Sequence, residues 1–411
     1  MTISTSATAQ GAHLSQSRTA TAVTRIVSID AFRGLTFFIM IIVNELHGIS
    51  GISEWLKHMP ADTDAMSFPD LVFPAFLFIV GMSIPFGLQA RKNRGETQWQ
   101  MMRHILLRAL ALICMGFFMV NAESGFDESK MPISIAAWSL FSYLGFMLIW
   151  GVYRFSVALW NHIGRATGIG ILFVLAMIYH GDQTQAWMQP QWWGILGLIG
   201  WAFLISCGVY VLCGPKLVNL AIAIAACTLY YFISHHAKQL PNLLQMLFSQ
   251  DGHAAHTSIV LCGLMCSVIY FQGQKNPSSW QRLLHGTLLS VSLLFAGLAV
   301  HTQFPISKIY ATPTWCFFSA ALCVAIYSLL FYIIEVHSKS IWMRLIEPVA
   351  TNPLVCYLLP FIVEAVLQIL HLENPLHRFT GGLGILMCVL YSCLIVFIVA
   401  QLNRVNFKMR F

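Results

Sequence analysis

Charge is scarce in this sequence. Asp, Glu, Lys and Arg make up 9% of 411 residues, while 57% are hydrophobic. Soluble domains carry roughly 25% charged residues, so a soluble, disordered or fibrous chain is excluded. There is no basic stripe with interleaved aromatics, which argues against a nucleic-acid partner. No Asn-x-Ser/Thr glycosylation site survives either, because Asn276-Pro277-Ser278 is blocked by its proline. Residues 1–24 are rich in Ser, Thr and Ala and lack an apolar centre, so they read as a disordered cytosolic tail and not a signal peptide. All eleven cysteines lie in or beside apolar runs, which argues against a disulfide framework.

What the chain has in abundance is long apolar runs. They fall near 32–46, 71–89, 105–121, 134–152, 167–180, 194–213, 217–234, 257–272, 287–302, 314–336, 349–370 and 382–402. These are too long and continuous for barrel strands, which would alternate. At about 20 residues per membrane-crossing helix, the expected fold is all-α. It is a polytopic bundle of about 10–12 transmembrane helices in one domain, residues 25–411. The run at 167–180 is the shortest and reads as partial.

The few charges orient that bundle. With the N-terminus cytoplasmic, eighteen of the 23 basic residues fall on the inner side, among them Arg33, Arg91, Arg103, Arg108, Lys216, Arg404, Lys408 and Arg410. Lys57, Lys130, Lys238, Lys308 and Arg378 fall on the outer side, with most of the acidic and His residues. This is the asymmetry that the positive-inside rule describes. With the missing sequon, it suggests a bacterial inner membrane.

The first two runs carry the densest polar signal. In Arg25-Ile-Val-Ser28-Ile-Asp30-Ala-Phe-Arg33-Gly34, Ser28 is the expected helix cap and Asp30 and Arg33 can pair three residues apart. Arg33 is then a candidate anion ligand in a cytoplasmic vestibule, or else an interfacial anchor. Asn44 and Glu45 stand at the outer end of the same helix. The loop that follows holds His58, Asp62, Asp64, Ser67, Pro69 and Asp70. Pro69 suits the first turn of the second helix with Ser67 near its cap, and Asp70 then meets a positive helix end. A carboxylate so placed can orient an imidazole, which makes His58 a candidate general base. Convergence of His58, Asp62, Asp64 and Asp70 on a metal is the rival reading, but no standard ligand spacing supports it.

These residues resemble a known family. The order Arg25-x-x-Ser28-x-Asp30-x-Phe32-Arg33-Gly34, Asn44, Lys57-His58 and Asp70-Leu-Val-Phe-Pro74-x-Phe-x-Phe-Ile-x-Gly81 looks like the heparan-α-glucosaminide N-acetyltransferase family of transmembrane acyltransferases. Pro305-Ile-Ser307-Lys308-x-x-x-Thr312-Pro313 and Asn352-x-Leu-x-x-Tyr357 resemble two further family motifs. The resemblance implies acetyl transfer from cytosolic acetyl-CoA to an amino-sugar acceptor on the opposite face; thioester chemistry of this kind needs no metal. It also suggests a dimer. It assigns the catalytic His to His58, the Asn at the outer end of the first helix to Asn44 and the helix-opening Asp to Asp70. The sequence departs from the family pattern in three ways. The loop between Asn44 and Asp70 is longer, Pro360 stands near a place where the family often has His, and the family's lumenal N-terminal domain has no counterpart. These departures bear on the identity of the acceptor, a glucosamine-like amino sugar, more than on the reaction type.

In that chemistry a neutral His takes the amine proton and an amide such as that of Asn44 serves the oxyanion. The phosphates of CoA need cations, for which Arg33 (with Asp30), Arg103 and Arg108 are candidates. Lys308, with Ser307, falls on the outer side near the acceptor, and Asn352 is a further candidate for substrate contact or for a bond between helices. Transfer within a ternary complex is preferred over an acetyl-His58 intermediate. A secondary transporter of a small sugar-like solute is the alternative function, since twelve spans with buried polar groups suit that class.

Overall fold

The computed structural model describes residues 26–152, 158–182, 186–236, 250–272 and 277–410. The expected tail at 1–24 lies outside them. Each of the twelve apolar runs forms a helix. In chain order these are α1 (Val27–Leu46), α2 (Val72–Asn93), α3 (Gln98–Glu123), α4 (Ile135–Trp150), α5 (Ala158–Ile178), α6 (Gly194–Cys213) and α7 (Leu217–His236). They continue with α8 (Asp251–Phe271), α9 (Ser279–His301), α10 (Pro313–Phe331), α11 (Pro353–Ile369) and α12 (Gly381–Arg404). Among the described residues, ten helices are long and apolar enough to cross a membrane, and α4 and α11 are shorter apolar helices. The run at 167–180 is no partial span. Its helix α5 begins earlier, with Asn161, His162 and Arg165 in its opening turns.

The hub of the bundle is α8, along which nearly every residue from Ala255 to Val268 is buried. It meets α2 at two glycines, because only a residue without a Cβ lets backbones approach this closely. A Cβ on Gly81 would overlap the Val260 carbonyl oxygen, and one on Gly263 would overlap that of Phe78. We expect Gly81→Ala to destabilise the protein by about 1–3 kcal/mol through overpacking. The readout is the melting temperature in detergent, and an unchanged value would contradict the close approach.

The ends of the helices pair as the charge alternation requires. At the end rich in Lys and Arg, the Ser28 N–H donates to Glu335 Oε1 at 3.2 Å and the Ser28 hydroxyl bonds Tyr327 Oη at 3.1 Å. Ser28 is therefore not the cap of α1, which starts at Val27 with Ile26 before it. The unsatisfied N–H of the first turn finds a carboxylate on the π turn Tyr332–Val336 that ends α10. At the opposite end, the Gly381 N–H donates to Ser50 O at 2.9 Å and the Asp127 N–H to His180 O at 2.9 Å. The short helices α4 and α11 pack on each other, with Tyr143 and Phe361 rings 6.4 Å apart. Beside them lies a cleft of about 290 Å³ lined by Glu123, Tyr143, Glu364 and Gln368.

Candidate active site

Asp70 sits in the short turn Pro69–Leu71 that leads into α2, with Pro69 in its first position and Phe68 as the cap. Ser67 is not that cap. Its N–H and hydroxyl both donate to Asp70 Oδ2, at 3.0 and 2.8 Å, and the Met59 N–H adds a third bond at 3.2 Å. Three donors on one oxygen fix a carboxylate that is only 1% exposed. The other oxygen, Oδ1, lies 2.7 Å from His58 Nδ1. A carboxylate can only accept, so Nδ1 carries a proton, and in the neutral ring Nε2 then carries the lone pair. His58 is 41% exposed, so that lone pair is within reach of a substrate. This is the base-and-orienter arrangement of hydrolytic triads.

Lys308 arrives from the loop between α9 and α10. Its Nζ is 3.1 Å from His58 Nδ1, 3.4 Å from Nε2 and 3.8 Å from Asp70 Oδ1. An in-plane bond to Nδ1 would leave Nε2 roughly 5 Å away, since the two nitrogens lie on opposite sides of the ring. The near-equal distances therefore place the amine over the ring face. Burial lowers the affinity of the Lys308 amine for its proton, and Asp70 opposes that shift.

The same loop holds the His58 loop in place. Asp64 accepts from the Ile306 N–H at 2.8 Å and lies 2.9 Å from His301 Nε2. The Tyr310 hydroxyl donates to Asp62 at 3.0 Å, and the Ser307 hydroxyl to Ala61 O at 2.8 Å. Asp62 and Asp64 are thus engaged with the 302–312 loop and do not converge on His58. Ser307 is buried as part of this clamp. The bonds from Ile306 and His301 hold the Asp64 carboxyl below its usual range. A depressed carboxylate contributes stability above its unfolded-state pKa of about 3.9 and loses it as pH falls through the folded value. We expect Asp64→Ala to melt below wild type at neutral pH and the gap to close below about pH 4. Melting curves across pH test this, and a constant gap would contradict it.

Asn44 is exposed in the last turns of α1, at the same end of the bundle. It makes no hydrogen bond to His58 or Asp70. Its neighbour Glu45 accepts from Asn374 at 3.1 Å.

The opposite end of the bundle holds a cavity of about 580 Å³ between α1, α2, α3, α6 and α11. Its polar lining includes Asp30, Arg33, Ser83, Arg108, Tyr357 and Arg410. Arg33 donates to Asp30 Oδ1 at 2.8 Å and to Ser83 Oγ at 2.9 Å, so its fork is held across α1 and α2. The Arg108 guanidinium lies 4.9 Å over the Phe203 ring, and its buried Nε has no hydrogen-bond partner among the described residues. An arginine in a cavity wall whose buried Nε lacks a partner is suited to an anionic ligand, because a buried polar group without a hydrogen bond is costly. Arg103, five residues earlier on α3, is exposed and does not line the cavity. Phe37 and Phe76 line it on the side towards Asp70, with ring centroids 4.5 Å apart. Along α2, Ser83 and Asp70 stand roughly 20 Å apart at ~1.5 Å per residue.

Asn352 is fully buried and bonds Asn403, Phe407 and Met409 within the protein. Its motif partner Tyr357 lines the cavity. Sequence reasoning placed Lys308 at the same end of the bundle as His58 but not on its ring, and it read Arg410 only as an orienting charge. The basic excess after the last apolar run was the available signal for Arg410.

Residues 25–189 match the family model for the catalytic region of heparan-α-glucosaminide N-acetyltransferase. The human protein of that name is 30% identical over 187 residues, which is 43% of this chain and 25% of the human one. The mouse protein is 30% identical over 181 residues, 42% of this chain and 24% of its own length. The match thus spans about a quarter of these curated relatives. It includes both Asp30–Arg33 on the cavity and His58–Asp70 at the far end, and it bears out the resemblance carried by those motifs. Over residues 25–189, this membrane helix bundle is similar to the catalytic region of the heparan-α-glucosaminide N-acetyltransferases.

Proposed function

We propose that the protein is a membrane acetyltransferase that carries the acetyl group of cytosolic acetyl-CoA to an amino-sugar acceptor on the extracytoplasmic face of a bacterial inner membrane. The observation that carries this reading is the pairing of two sites on one helix. A buried carboxylate holding an accessible imidazole stands at one end of α2, and an arginine-lined cavity opens beside the other. Acetyl-CoA has the matching shape, with phosphates at one end, a long narrow arm, and the reactive thioester at the tip.

In this mechanism the acceptor amine approaches His58 Nε2, which takes its proton as the nitrogen attacks the thioester carbon. The C–N bond forms, and the tetrahedral oxyanion is met by the Asn44 amide. The C–S bond then breaks, and the proton held by His58 passes to the leaving thiolate. The products are the N-acetyl sugar and CoA with a free thiol. Asp70 keeps Nδ1–H as the donor and stabilises the imidazolium that forms. An oxyanion donor of this kind is worth about 3 kcal/mol in activation free energy.

The test supplies labelled acetyl-CoA and a panel of amino sugars to the purified protein in lipid discs. We expect labelled N-acetyl sugar and stoichiometric free thiol. No acetylated product with any acceptor, together with sugar uptake by proteoliposomes in the absence of acetyl-CoA, would overturn the reading in favour of a transporter.

A further inference from the structure

Beyond α12, residues 405–410 stay on the bundle. The chain reverses at Asn406, whose φ of 60° is a left-handed conformation that Asn tolerates. It then runs back across the basic end as an extended strap. The Val152 N–H donates to Lys408 O at 2.7 Å, and the Arg410 N–H donates to Trp150 O at 2.9 Å, which pairs the strap with the end of α4. On its other side the fully buried Asn352 holds it twice. The Asn352 amide donates to Phe407 O at 2.9 Å, and its carbonyl oxygen accepts from the Met409 N–H at 3.4 Å. Asn403 completes the anchor through Pro348 O at 2.9 Å and Thr351 Oγ1 at 3.2 Å.

This anchoring places Met409, which is buried, and Arg410, which is exposed, on the lining of the 580 Å³ cavity. The Arg410 side chain forms no ion pair among the described residues. The same cavity is lined by Arg108 with its unpartnered buried Nε and by Arg33, held by Asp30 and Ser83. Two of these cations come from helices that frame the cavity. The third is delivered only because the strap is pinned.

We infer that the tip of this strap, Met409 and Arg410, forms a built wall of the cavity, in which Arg410 binds a phosphate of the incoming acyl donor and Asn352 is the positioning residue that holds Arg410 there. The inference deepens the acetyltransferase reading and rests on it for the donor's identity. The shared chemistry is a phosphate oxyanion, and the phosphate of a lipid headgroup would present it too.

The test is equilibrium binding of CoA and of pantetheine, which lacks the phosphates, to the full chain in phosphatidylcholine discs. For Arg410→Ala the dissociation constant for CoA is expected to rise about tenfold or more, as for a lost charge-assisted hydrogen bond. Binding of pantetheine is expected to stay unchanged, and Arg410→Lys to recover part of the loss. Arg404→Ala, on an exposed residue outside the cavity, serves as the control. Asn352→Leu is expected to weaken CoA binding as Arg410→Ala does, and the double variant to be no weaker than either single one. Wild-type affinity in Arg410→Ala would overturn the inference and leave the acetyltransferase reading standing. Wild type that fails to bind CoA would overturn both. Loss of co-purifying phosphatidylglycerol in Arg410→Ala, with CoA affinity intact, would assign the strap to lipid and overturn the inference.

Discussion

His58→Ala is expected to lower acetyl transfer by about 10²–10⁴-fold, the usual contribution of a positioned general base. The fold should be intact, because the ring is 41% exposed and contributes little to the packed interior. CoA affinity should also be unchanged, since the arginine-lined cavity lies roughly 20 Å away along α2. The measurement pairs initial rates of labelled product with CoA binding on the same preparation. Full transfer by His58→Ala would remove His58 from the chemistry without touching the rest of the proposal. A fall in CoA affinity matching the fall in rate would mean that the two ends are not separate sites.

Asp70→Asn is expected to cost nearly as much, about 10²-fold or more, for a reason that geometry supplies. Oδ2 of Asp70 receives three donors, two from Ser67 and one from Met59. An asparagine in this place must point its carbonyl oxygen at those donors, since its NH₂ would meet them donor to donor. The NH₂ then faces His58, which lies 2.7 Å from the other oxygen. To accept from it, His58 must bare the lone pair of Nδ1 and carry its proton on Nε2. The atom that should take the substrate proton is then already protonated. In serine proteases the same tautomer inversion costs ~10⁴ in kcat. We expect kcat to fall with KM for acetyl-CoA unchanged, and a rise in KM alone would contradict a tautomer role. Asp70→Ala is the less informative variant, because it strands three buried donors at about 1–3 kcal/mol each.

Much of this organisation was legible in the residues themselves. Twelve apolar runs became twelve helices because a lipid-facing backbone must satisfy its own hydrogen bonds. The pairing of His58 with Asp70 followed from an acid at a helix start and an imidazole in the loop just before it. What stayed hidden depended on partners distant in sequence. Ser28 has every local feature of a cap, yet Glu335 and Tyr327, some 300 residues away, claim its groups. Lys308 reaches His58 through a loop 250 residues downstream, and no periodicity signals such a contact. Arg103 and Arg108 illustrate a signal that was present. Five residues apart on a helix, they point about 140° away from each other, so both could not face one cavity. The structure turns Arg108 inward and leaves Arg103 exposed.

The short pair α4 and α11 has a consequence for the surrounding lipid. With 16 and 17 residues, they reach about 24–26 Å, against a hydrocarbon thickness of ~30 Å. Because they pack side by side, the shortfall is concentrated on one sector of the perimeter. The bilayer must thin there or the flanking residues must stretch to the interface, at fractions of a kcal/mol per Å. The protein is therefore expected to favour lipids with shorter chains along the flank where Glu123 and Glu364 line their cleft.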